Sequence, residues 1–349
     1  MEISERIPSI LNQFGLNAAD FKVERIGSGH INHTFLISGN PSFVLQCINT
    51  AVFKKPERVA KNIRLAADYL KNHFKDYLFL SPIKTSQQEE MAFDMEGTPW
   101  RLFPYIAGSY TLNELTDTRQ AFEAAKGFGL LTRNLDGIST EGFEPTIPDF
   151  HNLAWRFQQL QEAFSQSKEE TRSSATQVIE QAFHFGFLAD EYQKLIQKGI
   201  LRERIVHNDT KINNILFDNT TEKALCVIDL DTLMQGFYIY DLGDMIRTFV
   251  SPVSEEEKDT SKICFRNGFY EALLEGYLSE MHSCLSSEEK KAIPFAGMMM
   301  TYIMAIRFLA DYLNGNIYYQ IHYPEQNLVR AGNQLKLLEE IQKNLRPIY

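Results

Sequence analysis

Apolar positions recur at helical spacing over residues 1–14, where Ile3, Ile7, Ile10, Leu11 and Phe14 share one face and Gly15 supplies a C-terminal stop. The period then shortens. Residues 21–26, 31–37 and 42–48 read as three strands, with the turn Ser38-Gly39-Asn40-Pro41 between the second and third. Residues 55–74 return to helical spacing, with Val59, Ile63, Ala66, Ala67, Leu70 and Phe74 on one face. Residues 81–85, 91–94 and 99–103 extend the sheet. Beyond Asp117 the pattern is mostly helical: 117–134, 152–164, 169–187 and 188–198, then 240–250, 261–281, 286–314 and 326–345, with a Gly- and Pro-rich loop at 137–148. Strands that precede helices, with no internal repeat, predict an α+β chain.

Between the two helical series lie residues 206–231, VHNDTKINNILFDNTTEKALCVIDLD. Two strand-like runs joined by a polar turn predict a hairpin that carries Asn214 at its start and Asp229 at its end, with Asp209 in the loop before it. His207, Asp209, Lys211 and Asn214 follow the spacing of a kinase catalytic loop, with a metal-binding Asp on a later strand. Phosphoryl transfer spreads negative charge over the migrating group, so it needs hard oxygen ligands for Mg²⁺, a cation, and a carboxylate that takes the nucleophile's proton. Asp209 fits the base, Lys211 the cation, and Asn214 with Asp229 the metal ligands. The alternative is a polar turn whose Asx residues only close a hairpin. Asn208 replaces the usual Arg, and Leu230-Asp231 follows Asp229 in place of Phe-Gly, which argues against a protein kinase in the strict sense.

The remaining candidates flank this stretch. Gly27-Ser28-Gly29-His30 joins two strands, as a phosphate-covering glycine loop does, or as an ordinary hairpin turn does. Gln46 stands where kinases keep the phosphate-binding Lys. A neutral Gln46–Asn62 pair is expected in place of the usual ion pair, unless both only solvate a strand edge and a helix flank. Pro104-Tyr105-Ile106 suits a hinge whose backbone contacts adenine, or an ordinary strand-to-helix loop. Asp241, Asp244 and Arg247 on one helical side read as a buried ion-pair brace for the catalytic loop in preference to groups with a direct chemical role. The Met298–Met304 cluster reads as core filler. Arg307 follows an apolar segment, so it meets either ligand hydroxyls or Asp311 at i+4.

Charge and composition narrow the partners. Thirty-five basic against 45 acidic residues give a net charge of −10, which argues against a nucleic-acid binder but leaves room for ATP on local cations. Cys47, Cys226, Cys264 and Cys284 have no paired spacing and read as free thiols of a reducing compartment. The first 13 residues lack the apolar core of a secretion signal, and the apolar run 292–306 is shorter than a bilayer requires. A cytoplasmic, monomeric protein without membrane or nucleic-acid partners is expected.

With these segments assembled, the chain resembles the aminoglycoside phosphotransferase and choline kinase superfamily, and more closely the N-acetylhexosamine 1-kinases. The resemblance is carried by GSGHIN (27–32), FVLQCIN (43–49), HNDTKINNIL (207–216), VIDLDTLMQG (227–236), YDLGDMIRTF (240–249), RFLADYLNGNIYY (307–319) and YPEQNLVR (323–330). It implies a bilobal protein-kinase-like fold: a small antiparallel-sheet N-lobe, residues 1–106, binding ATP, and a larger helical C-lobe, residues 107–349, with a cleft between them. It further implies Mg²⁺- and ATP-dependent phosphorylation of the anomeric hydroxyl of N-acetylglucosamine or N-acetylgalactosamine. By position, Asp209 is the base, Asn214 and Asp229 hold Mg²⁺, and His30, Asp231, Arg307 and Tyr318 contact the sugar. Gln46 fits this subgroup. Gln235 stands where Pro is expected and Asn316 where Asp is frequent. Rival readings are a kinase of the same fold acting on choline, an aminoglycoside or a thiosugar, and a nucleotide-binding protein without turnover.

Overall fold

The computed structural model describes residues 3–27 and 32–345, and the chain divides into two compact units. The first comprises Met1–Tyr110, Gly137–Ile147 and Leu216–Gln235, and the second the remainder, so two later segments join the N-terminal region instead of a single cut near residue 106.

The first unit is built on a five-stranded antiparallel sheet in the order Lys22–Ile26, His33–Ser38, Phe43–Cys47, Pro99–Pro104 and Ala92–Phe93. Strand alternation sorts its two faces. Phe43, Leu45 and Cys47, with Trp100 and Leu102 opposite them, pack against Ile7, Ile10 and Leu11 of the helix Ile3–Gln13. Val44, Gln46 and Arg101 therefore lie on the other face. The expected strand at 81–85 reduces to one bridge, Ile83 to Leu102. The helix Pro56–His73 starts with proline in its first turn and ends with Lys71 and His73, which complement the helix dipole. A three-stranded sheet joins Ser109–Tyr110, Ile215–Asp218 and Ala224–Val227, so the expected hairpin forms.

The second unit is helical. Its centre is Ile293–Leu313, apolar all round, against which Tyr238–Val250, Gln326–Asn344 and Leu153–Gln166 pack. By length and composition this helix could cross a membrane, but 78% of its most apolar window is buried in the protein, as a core helix requires. Met299 and Met300 are fully buried there, in the filler role expected. The predicted helix 286–314 is two. Ser287–Lys291 is closed by a capping box of Ser286 and Glu289, and Pro294 then opens Ile293–Leu313, because it cannot donate to the preceding turn. The predicted helix 169–187 likewise breaks into Glu169–Ser174 and Thr176–His184. Gly243 is where Tyr238–Val250 touches the core helix, and a β-carbon there would collide with the Ala296 carbonyl oxygen.

All four cysteines are free, and Cys47 and Cys226 are buried.

Candidate active site

The catalytic-loop residues lie in the second unit, directly after the strand Arg204–Val206. The turn is forced. Asn208 has φ +66°, a left-handed conformation that a non-glycine residue keeps only under constraint. Four contacts supply that constraint. The buried Asp241 carboxylate accepts the amides of His207 at 3.0 Å and Asn208 at 2.7 Å. The Asn208 side chain donates to the Val206 carbonyl at 3.1 Å, and the His151 ring reaches the Asn208 carbonyl with Nε2 at 2.8 Å. Asp241 thus holds the loop through hydrogen bonds to its amides and not through the ion pair expected, since Arg247 pairs with Asp244 and Glu255. Burial, only partly offset by His207, pushes its carboxyl up to about 6.

Asp209 follows this turn. Its Oδ1 meets the Lys211 ammonium at 2.8 Å, and its Oδ2 accepts from Asn214 Nδ2 at 3.0 Å. Burial alone would raise the Asp209 carboxyl, but the Lys211 charge and hydrogen bond bring it below the ordinary range, so it is ionised at neutral pH. Lys211 is raised in return, chiefly by Asp209. Asn214 also donates to the Asp209 backbone carbonyl at 2.8 Å. Both of these bonds use its amide nitrogen, which turns the amide oxygen away as a hard ligand. That donor set suits Mg²⁺, which takes one or two protein oxygens and completes its shell with phosphate and water. Among the described residues no group of three His, Cys, Asp or Glu gathers. A cavity of about 290 Å³ adjoins Lys211, lined among others by Asn113, Glu114, Asn213, Arg247, Glu255 and Arg266.

Arg307 and Tyr318 lie in the same unit but outside that cavity's lining. The Arg307 guanidinium stands over the rings of Phe150, Tyr319 and Tyr318, at 5.3, 5.5 and 6.0 Å, and has no carboxylate partner among the described residues. The i+4 pair with Asp311 does not form. Asp311 instead accepts the amides of Ile317, Tyr318 and Tyr319 and the Asn327 side chain, which ties down the loop after the core helix. Asn316 has φ +60° and caps that loop through Pro324 and Asn327, a backbone state Asn tolerates well.

In the first unit the remaining candidates gather around the third strand. Ser28, Gly29 and His30 lie outside the described residues; Gly27 has φ +81°, which glycine readily adopts. The expected Gln46–Asn62 pair is absent. Asn62 is fully buried between the carbonyls of Glu144 and Leu233, while Gln46 accepts from Arg101 and donates to Thr34. Asp231 is paired with Arg101 at 2.5 Å and accepts from Asn32 at 2.8 Å, so this candidate sugar contact is already held by protein groups. Asp229 takes φ +57° at the head of the turn Leu230–Thr232. Pro104 ends its strand, the Tyr105 amide donates to the Ser42 carbonyl, and the Ile106 carbonyl accepts from Ser109, which fixes the candidate hinge. Gln235 donates to the Thr140 carbonyl, a bond proline could not make. Arg101 and His151 were missed in the sequence. The first is a lone basic residue in an apolar strand, and that was the only signal; the second had none.

An ionised aspartate clasped by a lysine and an asparagine sits on a strained loop in a protein-kinase-like fold, an antiparallel sheet followed by helices. The chain belongs to the phosphotransferase enzyme family, whose sequence model matches residues 22–285. Solved structures share the fold. A microcompartment-associated aminopropanol kinase is 16% identical, with a TM-score of 0.63 over 97% of this chain and 98% of that one. A spectinomycin phosphotransferase in complex with ADP and spectinomycin is 14% identical, TM-score 0.59, over 97% and 98%. Choline kinase from Cryptosporidium parvum Iowa II is 17% identical, TM-score 0.58, over 98% and 96%.

Proposed function

We propose that the protein is an ATP- and Mg²⁺-dependent kinase that phosphorylates the anomeric hydroxyl of N-acetylhexosamines. The observation that carries the kinase reading is the Asp209 carboxylate, ionised and held between Lys211 and Asn214. It accepts the proton of the sugar C1 hydroxyl as that oxygen attacks the γ-phosphorus of ATP. Lys211 neutralises charge on the transferring group, and the loop geometry does the positioning. Asn214 and Asp229 would hold Mg²⁺, which when bound supplies Lewis-acid neutralisation of the phosphate oxygens.

The sugar assignment rests on the N-acetylhexosamine 1-kinase resemblance and on Arg307. A guanidinium among aromatic rings, with no described carboxylate to neutralise it, suits hydroxyl and acyl oxygens and the apolar face of a neutral sugar, and it repels a cation. A second reading, an amino-alcohol kinase, takes Glu114 of the cavity beside Lys211 as the counter-charge, since Glu255 there is already paired with Arg247 at 3.0 Å.

The two are separated by ³¹P NMR of the protein with MgATP and, in separate tubes, N-acetylglucosamine, N-acetylgalactosamine, galactose, choline or kanamycin. A phosphomonoester coupled to an anomeric proton is expected in the N-acetyl sugar tubes. Product only with choline or kanamycin would overturn the sugar assignment and keep Asp209 in its role.

A further inference from the structure

Gln46 leaves the third strand without the cation that kinases place there, yet the same face of the sheet carries one. Gln46 and Arg101 are directly opposed in the antiparallel register, and alternation turns both away from the apolar core. Arg101 is 2% exposed. Its Nε and Nη2 both donate to Gln46 Oε1, at 3.0 and 2.8 Å, and Gln46 Nε2 is itself held by Thr34 at 3.2 Å. Nη1 then lies 2.5 Å from Asp231 Oδ1, an ion pair without the alignment of a hydrogen bond. A lysine at position 46 would repel the guanidinium, whereas glutamine offers it an acceptor.

Asp231 sits two residues after Asp229, inside the turn Leu230–Thr232 that begins with Asp229 in its left-handed conformation. Its second oxygen accepts from Asn32, and Asn32 in turn accepts the Asn49 amide at 3.0 Å. One buried charge pair therefore ties the third strand, the strand Pro99–Pro104 and Asn32 to the turn that presents Asp229.

We propose that Arg101 stands in for the missing third-strand lysine: braced by Gln46 and paired with Asp231, it is the positioning residue that fixes the Asp229 turn for Mg²⁺·nucleotide binding. This rests on the reading of Asp229 as a Mg²⁺ ligand. In this arrangement the partner of the cation is the metal-binding turn, not a glutamate on the neighbouring helix.

The test is calorimetric titration of the full chain with a non-hydrolysable ATP analogue, with and without Mg²⁺, alongside thermal melting. No acceptor is needed. In Arg101→Met the Mg²⁺-dependent gain in affinity is expected to fall by about tenfold or more, while binding without Mg²⁺ changes by less than about threefold. Because Arg101→Met strands a buried carboxylate and can unfold the unit, the double variant Arg101→Met/Asp231→Asn removes both charges and should show the same loss with a melting point near wild type. Gln46→Lys in the Arg101→Met background should recover most of the gain. A wild-type Mg²⁺-dependent gain in the double variant would overturn the inference. So would an equal loss with and without Mg²⁺, which marks a purely structural pair. Nucleotide binding by the wild type that ignores Mg²⁺ would instead remove the metal assignment of Asp229, and with it the basis of this inference.

Discussion

Asp241 holds the catalytic loop by both carboxylate oxygens, Oδ2 on the His207 amide at 3.0 Å and Oδ1 on the Asn208 amide at 2.7 Å. Its carboxyl is raised to about 6, first by burial, whereas Asp209 is lowered. Acidification through about pH 6 therefore protonates the brace before the base. A proton on either oxygen weakens one of the two bonds that keep Asn208 left-handed, so kcat should fall on an acid limb near that pH. In Asp241→Asn that limb should disappear and kcat should drop by about tenfold or more at about pH 8, since the amide nitrogen cannot accept. A pH–rate profile checks both. Because the folded pKa lies above the unfolded value, the folded state holds the extra proton between about pH 4 and 6, and this group's contribution to stability declines as pH rises through that window.

His151 bonds the Asn208 carbonyl through Nε2, 57 residues away in sequence. To do so Nε2 must carry the proton, and burial, with the Arg307 and Arg156 charges adding, lowers the imidazole to about 4. The ring is neutral at working pH. His151→Phe keeps the tilted ring contacts with Phe150 and Tyr240 but loses the donor, and should reduce kcat by about tenfold with little change in the nucleotide KM; His151→Gln, which can donate from the same place, should restore most of it. Equal behaviour of the two variants would argue against the bond. The sign for stability is opposite to that of Asp241: the unfolded histidine binds a proton below about 6.5 and the folded one does not, so stability is lost as pH falls from there toward about 4.

Asp209→Asn should lower kcat by about 10² or more, the range of a lost general base, while the nucleotide affinity stays near wild type. Lys211→Met should lower kcat too, and it should also bring the Asp209 carboxyl back up, because Lys211 is the main group that offsets burial there. In the Asp241→Asn background, which removes the brace's own limb, an Asp209 acid limb displaced to higher pH on adding Lys211→Met is the signature to measure.

What could be read from the chain was what is local. The spacing of His207, Asp209, Lys211 and Asn214 sets one loop, and that loop folds as the spacing implies, with Asn214 returning to Asp209 through two hydrogen bonds. Helices such as Thr118–Leu135 announce themselves by a cap, here Asp117 with Gln120. The failures are non-local. By position on its helix Asn62 is free to face Gln46, but its amide is taken by Glu144 and Leu233, from segments that only the fold brings near. Helical spacing matches Arg307 to Asp311, but three amides of the following loop are better partners for that carboxylate than a guanidinium that can stack on rings. Arg101 and His151 act through partners far along the chain, Asp231 and Asn208, and no periodicity marks such pairs.

Gly243 reports on the packing that backs the site. It lies just after Asp241, where the Ala296 carbonyl oxygen occupies the space of a β-carbon. Gly243→Ala must push the helix Tyr238–Val250 away from Ile293–Leu313, and overpacking of this kind costs about 1–3 kcal/mol. Because Asp241 rides on the same helix, the lower melting temperature should come with a lower kcat, and a stable variant with unchanged kcat would show that the two helices can separate without moving the brace.

Arg307 offers the sharpest division between acceptor and nucleotide effects. Its guanidinium packs on Phe150, Tyr318 and Tyr319 and is matched by no described carboxylate, so its field is open to act on a ligand. If it contacts the sugar, Arg307→Leu raises the acceptor KM by about tenfold, the scale of a hydrogen bond to a charged group, and leaves the KM for MgATP within about twofold. Arg307→Lys should fare little better, because a compact ammonium does not stack or fork as a guanidinium does. The same charge predicts a preference between two otherwise similar acceptors: N-acetylglucosamine should be favoured over glucosamine, whose ammonium is repelled, and Arg307→Leu should narrow that ratio. Steady-state kinetics with the two sugars at neutral pH measure it, and a ratio that does not move would place Arg307 outside the acceptor's reach.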